Sequence, residues 1–189
     1  TSYALVRLTN DTQIRCNLVI GADGRGSPVR TAAGIGLKTT RYGQKAITFA
    51  VTHDTPHDNV STEVHRAGGP FTLVPLPDHQ GRPCSAVVWM DDGAAVADRM
   101  TLTDGEFSKA ATDRSAGVLG DLTLVTRRGV WPIISQIAQS MTGPRTALVA
   151  EAAHVMPPIG AQGLNMSLSD LDALLELSLQ HRADLGGQA

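Results

Sequence analysis

The chain has 189 residues, 42% of them hydrophobic and 18% charged, with a formal net charge of −2. That is enough for one ordinary globular domain or two small ones with a buried core. The near-neutral charge excludes a basic footprint for nucleic acid, and no apolar run approaches the roughly 20 residues of a membrane-spanning helix. No secretory signal is visible, because Thr1 opens directly on strand-like sequence. Cys16 and Cys84 stand alone, without CxxC spacing, and suit a reducing compartment; the expected location is cytoplasmic. Their simplest reading is as small core or surface residues.

In chain order, "YALVRLTNDTQIRCNLVIG" reads as two strands around a turn at Asn10-Asp11, the second ending in an apolar run, Leu18 to Ile20, of the kind buried on both faces. Ser27 and Pro28 form a helix start, a hydroxyl cap followed by proline at the first helical position, and Gly34 and Gly36 stop that short helix. From about Gln44 to Asp91, "KAITFAVTH", "VSTEVHRA", "PFTLVPLP" and "SAVVWM" are short β-rich runs separated by turn residues, which predicts an antiparallel sheet. "DDGAAVADRM" and "DGEFSKAATDRSAG" read as helices, and "LTLVTRRGVWPIIS" returns to extended chain. "RTALVAEAAH" is a second buried strand running into a loop. A final helix runs from Asn165 to about Arg182, with Leu164, Leu168, Leu171 and Leu175 at helical spacing and Gly186-Gly187 ending it. The expected fold is α+β: α/β-like ends, residues 1–40 and 143–189, around a β-rich lobe at 41–142. The ends join in space and the middle is an insertion.

Two stretches carry chemistry. In "LVIGADGRGSPVR" a strand delivers Asp23 to the C-terminal edge of a sheet, where open α/β sheets bind ligands. Gly24 and Gly26 let a ligand approach the backbone, and Arg25 and Arg30 can pair with phosphate. The residues alone fit equally a nucleotide-contact loop or a plain strand-turn-helix joint with surface arginines. In "ALVAEAAHVMPPIGAQGLNMSLSDLDAL" a second strand ends in Glu151, Pro157-Pro158 stiffen the loop, and Gly160 and Gly163 open the backbone before the long helix. Amides near Gln162, Gly163 and Leu164 can stabilise negative charge on a planar ligand. A Pro/Gly loop capping a core helix explains Leu168 and Leu171 but not the Glu-Ala-Ala-His start.

Taken together, "GADGRGSPVR" resembles the Asp-Gly motif of class A flavin-dependent aromatic hydroxylases, the group built like para-hydroxybenzoate hydroxylase. "EAAHVMPPIGAQGLNMSLSDLDAL" resembles that family's second FAD motif, usually Gly-Asp-Ala-Ala-His followed by a Pro/Gly loop and a helix. The Gly-Gln-Gly-Leu-Asn ending, with "GPFTLVPLPD" and "SAVVW", is most similar to the branch that hydroxylates ubiquinone precursors. The resemblance covers essentially the whole chain. It implies FAD contacts at Asp23, Gly24, Arg30, Glu151, Pro158, Gly160, Ala161, Gln162, Gly163, Leu164 and Asn165, and a substrate pocket lined by Phe71, Leu73 and Pro75.

The resemblance further implies NAD(P)H as reductant, O2 as co-substrate and a small aromatic substrate, polyprenylated in the ubiquinone branch, which would bring the protein to the periphery of the inner membrane. No side chain acts as nucleophile, so no catalytic residue is assigned. Departures are Ala150-Glu151 for Gly-Asp and Gly160-Ala161 for Ala-Gly. The family's GxGxxG unit is not found, so the expectation is an internal fragment that alone does not hold FAD tightly, because three motifs assemble the dinucleotide site, and is inactive alone. Apolar surface where that unit would pack would favour a homodimer.

Two other readings stand beside this one: a non-catalytic substrate- or partner-binding lobe with vestigial flavin motifs, and a plain nucleotide-binding domain, which the missing first βαβ unit disfavours. "HDTPHD" with His65 reads as a polar loop rather than a metal cluster, because the spacing places no ligand set on one helix face. His154 reads as a structural hydrogen-bonding residue of the second motif, and Trp89 and Trp131 as core.

Overall fold

The computed structural model describes residues 2–160 and 162–187. In chain order the strands and helices are β1 (Ala4–Arg7), β2 (Gln13–Cys16), β3 (Val19–Gly21), α1 (Pro28–Ala32), β4 (Leu37–Thr52), β5 (Thr62–Arg66), β6 (Gly69–His79) and β7 (Arg82–Asp92). There follow α2 (Gly93–Met100), α3 (Asp104–Arg114), β8 (Thr123–Leu124), β9 (Gly129–Ala138), β10 (Thr142–Gly143), β11 (Thr146–Leu148), β12 (His154–Val155) and α4 (Gln162–Gln180). The chain divides into two compact units: residues 1–41 with 134–189, and residues 42–133. The first crossing lies in β4 and the second in β9, and each of these strands runs through the division without a break.

The 42–133 unit is an antiparallel sheet in the order β9-β4-β7-β6-β5, with β8 added against β4. Alternation along the strands sorts the side chains by face. Ile47 pairs with Trp89 and Trp89 with Phe71, and Phe49 pairs with Val87 and Val87 with Leu73. All six are buried in one core with Val96 of α2 and Phe107 and Ala111 of α3. Phe107 meets Phe49 edge-on at 4.9 Å between ring centres, and Phe71 meets Trp89 in the same way at 5.4 Å. Aspartate and threonine caps start the helices: Asp92 accepts from the Ala94 and Ala95 amides, and Thr103 with Glu106 forms a reciprocal capping box. Pro75 lies beyond the end of β5, on a stretch of β6 that has lost that neighbour, where a missing N–H costs no ladder bond.

Two sequence expectations change here. Phe71 and Leu73, expected to line a substrate pocket, are 0% and 1% exposed and pack into this core, because odd-numbered positions of β6 point to the helix-covered face. Trp131, expected in a core, is 53% exposed, and its indole N–H donates to Thr48 Oγ1 at 3.0 Å. Trp89 is core, as its residue type predicts. His53 is fully buried: Nδ1 lies 2.8 Å from Thr55 O and Nε2 2.9 Å from Ser85 Oγ. The carbonyl can only accept, so Nδ1 carries the proton and Ser85 donates to Nε2. His57 lies with Nε2 3.1 Å from Leu76 O. Among the described residues no group of three or more His, Cys, Asp or Glu side chains is placed to hold a metal.

The other unit opens with the β1–β2 hairpin around the expected turn, Ala4 opposite Cys16. A small sheet follows in the order β10-β11-β3, with β11 and β3 parallel and Leu148 opposite Gly21. Gly21 is required by close packing: a Cβ there would sit 2.9 Å from Leu148 Cδ2 and 3.0 Å from Val29 Cγ1. Its core is small, formed by Ala138, Leu148, Ala152 and Ala153 with Val29 and Ile35 against them. β12 pairs with the far end of β9, His154 opposite Ile137. Ile20 is half exposed, so the apolar run of β3 is not buried on both faces. Among its described residues α4 buries none; Leu164, Leu168, Leu171 and Leu175 form an exposed stripe. Among the described residues no helix is long and apolar enough to cross a membrane.

Candidate functional site

The parallel pair β3–β11 explains why the two motif stretches belong together. Val19 N–H donates to Arg145 O at 2.8 Å and Val149 N–H to Gly21 O at 3.0 Å, so the ladder runs to the C-terminal end of both strands. Beyond that end the first strand turns through Asp23 and the second through Glu151. Both acids stand exposed at one sheet edge, the place where open α/β sheets receive ligands.

Asp23 has a local task as well. Its Oδ2 accepts from the Val29 amide at 3.0 Å, at the start of α1. Slight burial pushes its pKa up, but hydrogen bonds from the Ser27 hydroxyl and from the Val29 and Asp23 amides, with the charge of Arg30, outweigh that and hold the carboxyl below its ordinary 3.8. Ser27 caps the same helix, accepting from the Arg30 amide at 2.9 Å, with Pro28 at the first helical position as its sequence predicts. Gly24 turns the chain with φ +81°, and a Cβ at Gly24 or Gly26 would meet nothing within 4 Å, so the loop backbone is open on that side.

Arg30 is buried, 6% exposed. Nη1 donates to Ala152 O at 2.8 Å and Nη2 to Arg25 O at 3.0 Å. One guanidinium therefore ties the Asp23 loop to the turn that carries Glu151. Arg25, two residues after Asp23, is exposed.

The second stretch folds as a 3-10 turn at Ala150–Ala152, the short strand β12, a Pro157–Gly160 bend and then α4. Ala150 has φ +54°, in the left-handed region that glycine enters freely and alanine does not. The resemblance gives Gly-Asp as the usual pair here, and the φ value supplies the physical reason. Glu151, His154, Val155, Met156, Gly163, Leu164 and Ser167 line a hollow of ≈280 Å³. Pro158, Gly160 and the first-turn residues Gln162, Gly163, Leu164 and Asn165 are all exposed. Gly160 has φ +64°, and the Gln162 side chain donates to its carbonyl at 2.9 Å. Ala161 lies outside the described residues.

One residue that the sequence does not single out is Asp170, on α4. Its Oδ2 accepts from the Ala150 amide at 2.8 Å and lies 2.7 Å from His154 Nε2. The signal is present as an acid within the apolar periodicity of the helix, but nothing in the sequence says which loop it meets. A larger hollow of ≈620 Å³ lies at the other end of α4, against β10 and β11. Its charged lining is already engaged in part, with Asp184 paired to Arg145 at 2.9 Å, and it holds neither acidic turn.

An exposed carboxylate, apolar loop residues such as Met156 and Ile159, and the open N-terminal turn of a 19-residue helix suit a planar, partly anionic ligand with hydroxyl groups. A bare Gly163, with nothing within 4 Å of its Cβ position, leaves that turn approachable. The residues present therefore fit a flavin dinucleotide.

Comparison with known proteins agrees with that fit. The FAD binding domain family matches residues 1–180. The ubiquinone hydroxylase UbiL of Rhodospirillum rubrum is 36% identical over 169 residues, which are 89% of this chain and 38% of that protein. The 3-demethoxyubiquinol 3-hydroxylase of Escherichia coli is 29% identical over 170 residues, 90% of this chain and 42% of that protein. The chain thus spans about two-fifths of the length of these relatives. Among solved structures, the flavin-dependent halogenase CmlS superposes with a TM-score of 0.74 at 17% identity, over 97% of this chain and 34% of that one. At that identity it shows the shared fold alone.

Proposed function

The chain belongs to the FAD binding domain family, and from that premise we propose that the protein carrying it is an FAD-dependent monooxygenase that hydroxylates an aromatic ring, with a polyprenylated phenol of ubiquinone synthesis as the substrate. The observation that carries the reading is the parallel register of β3 and β11, which sets Asp23 and Glu151 at one sheet edge, with the hollow of Glu151 and the N-terminal turn of α4 beside them. The relatives support the substrate class, since UbiL is a ubiquinone hydroxylase and the E. coli protein a demethoxyubiquinol hydroxylase.

When bound, FAD would supply the redox chemistry, with NAD(P)H as reductant and O2 as co-substrate. The chain's own residues bind and orient it. Glu151 accepts hydrogen bonds from flavin-chain hydroxyls, in the role the family usually gives to aspartate. Amides of the first turn of α4, at Gly163 and Leu164, would face a negatively charged part of the ligand, which a helix N-terminus favours. Pro158, Gly160, Gln162 and Asn165, all exposed beside that turn, would meet the same ligand. Asp23 and Gly24 shape the loop along the dinucleotide, and Arg30 holds that loop in place from beneath.

A fluorescence titration of FAD with the purified chain tests the reading. Weak but saturable quenching that Glu151→Ala abolishes is the expected result. Absence of quenching at high chain concentration would instead favour a substrate- or partner-binding lobe without its own flavin site.

A further inference from the structure

We propose that Asp170 is a positioning residue: from α4 its carboxylate holds Ala150 in a left-handed backbone and His154 in one tautomer, and so sets where the Glu151 carboxylate stands. The proposal rests on the reading of Glu151 as an FAD contact.

Ala150 comes directly before Glu151, and its φ of +54° is a conformation that an L side chain keeps only where the surroundings fix it. The fixing contact is visible. The Ala150 amide donates to Asp170 Oδ2 at 2.8 Å, and that oxygen lies 2.7 Å from His154 Nε2. Both side chains are well shielded, 10% exposed for His154 and 13% for Asp170, so these bonds face little competition from water. An ionised carboxylate only accepts, so Nε2 carries a proton in this contact.

The two donors come from either side of the acid turn, residue 150 before Glu151 and residue 154 after it. Asp170 belongs to the same helix whose first turns, through Gly163, Leu164 and Ser167, form the facing wall of the Glu151 hollow. One carboxylate therefore locks both walls of that hollow in register. Glycine, the usual residue at this position in the resembling family, enters the left-handed region unaided; with alanine in place, the turn depends on Asp170 to stay there.

The test uses the full chain, wild type and three variants: Asp170→Asn, Ala150→Gly, and the two together. Hydrogen exchange of the Ala150 amide and the imidazole ¹⁵N shifts of His154 are read without flavin, and FAD affinity is read by fluorescence quenching. In the wild type a slowly exchanging Ala150 amide and an Nε2–H imidazole are expected. Asp170→Asn should speed exchange at Ala150, shift the tautomer and weaken FAD binding by about tenfold, the scale of one charge-assisted hydrogen bond. Adding Ala150→Gly should restore FAD affinity to within about threefold, since it removes the backbone constraint that Asp170 opposed.

Rescue of affinity separates positioning from a merely stabilising contact. If Asp170→Asn unfolds the first unit, refolding and FAD binding by the double variant decide the same question. Quenching by the wild type that Asp170→Asn leaves unchanged, or a loss that glycine does not rescue, overturns the proposal. No quenching by the wild type overturns the FAD reading and the proposed purpose of Asp170 with it, while the exchange and tautomer data still decide whether the clip exists.

Discussion

The two units of this chain differ in how they are held together. The 42–133 unit has a core of twelve buried residues in which three phenylalanines and Trp89 interlock. Among the described residues the core cluster of the other unit has four small or medium side chains, and its longest helix buries none. That unit, with the smaller core cluster, contains the acidic turns, the tying arginine and the Asp170 clip. In it, hydrogen bonds to buried groups do what apolar packing does in the 42–133 unit. Direct polar ties can fix loop positions closely while leaving the surface open to a ligand, which a dense core does not.

Phe107→Ala should erase most of this difference. It removes a fully buried ring from the centre of the larger core and should cost about 3–5 kcal/mol, read as a lower urea midpoint for the transition followed by Trp89 fluorescence. Arg30→Met should cost about 1–3 kcal/mol, by leaving the Ala152 and Arg25 carbonyls without their donor, and should loosen the acidic turns. Proteolysis at residues 22–26 and 150–160, faster than in wild type, reads that effect.

The 42–133 unit also carries its own dependence on pH. Burial lowers the pKa of His53, and the positive field of His57 and Arg82 adds to that, although the Thr55 carbonyl and Asp54 oppose it. In the folded unit the ring resists protonation, whereas in the unfolded chain it takes a proton near the ordinary 6.5. Stability from this site is therefore present above pH 6.5 and declines as the pH falls from there toward the lowered folded value. A His53→Gln variant should lose that part of the slope in urea midpoints measured between about pH 7.5 and about pH 5. The smallest effects are expected at the exposed apolar residues: Leu171→Ala and Trp131→Ala should each change stability by no more than about 0.5 kcal/mol, in contrast to Phe107.

The α+β class, the two motif stretches and most strand positions are legible in the sequence, because alternation, Ser-Pro capping and Gly-rich strand ends are local signals. Direction is not. The run "PFTLVPLP" announces a strand, but not that Phe71 and Leu73 face α3 instead of a ligand. Arg30 looks like any surface arginine beside a glycine loop, and only tertiary packing turns its guanidinium inward to the Ala152 carbonyl, 122 residues away. Asp170 and His154 are 16 residues apart, with a loop between them that has no periodicity to follow. Trp131 reads as core on residue type, yet its strand position sets it on the face that α2 and α3 leave uncovered.

If the ends of β3 and β11 form one flavin site, a single ligand must cover both acidic turns at once. Hydrogen–deuterium exchange of the chain with and without saturating FAD reads this directly. Protection should rise together over residues 22–26 and over residues 149–165. Protection confined to one of those segments, or found in neither, would contradict a shared site.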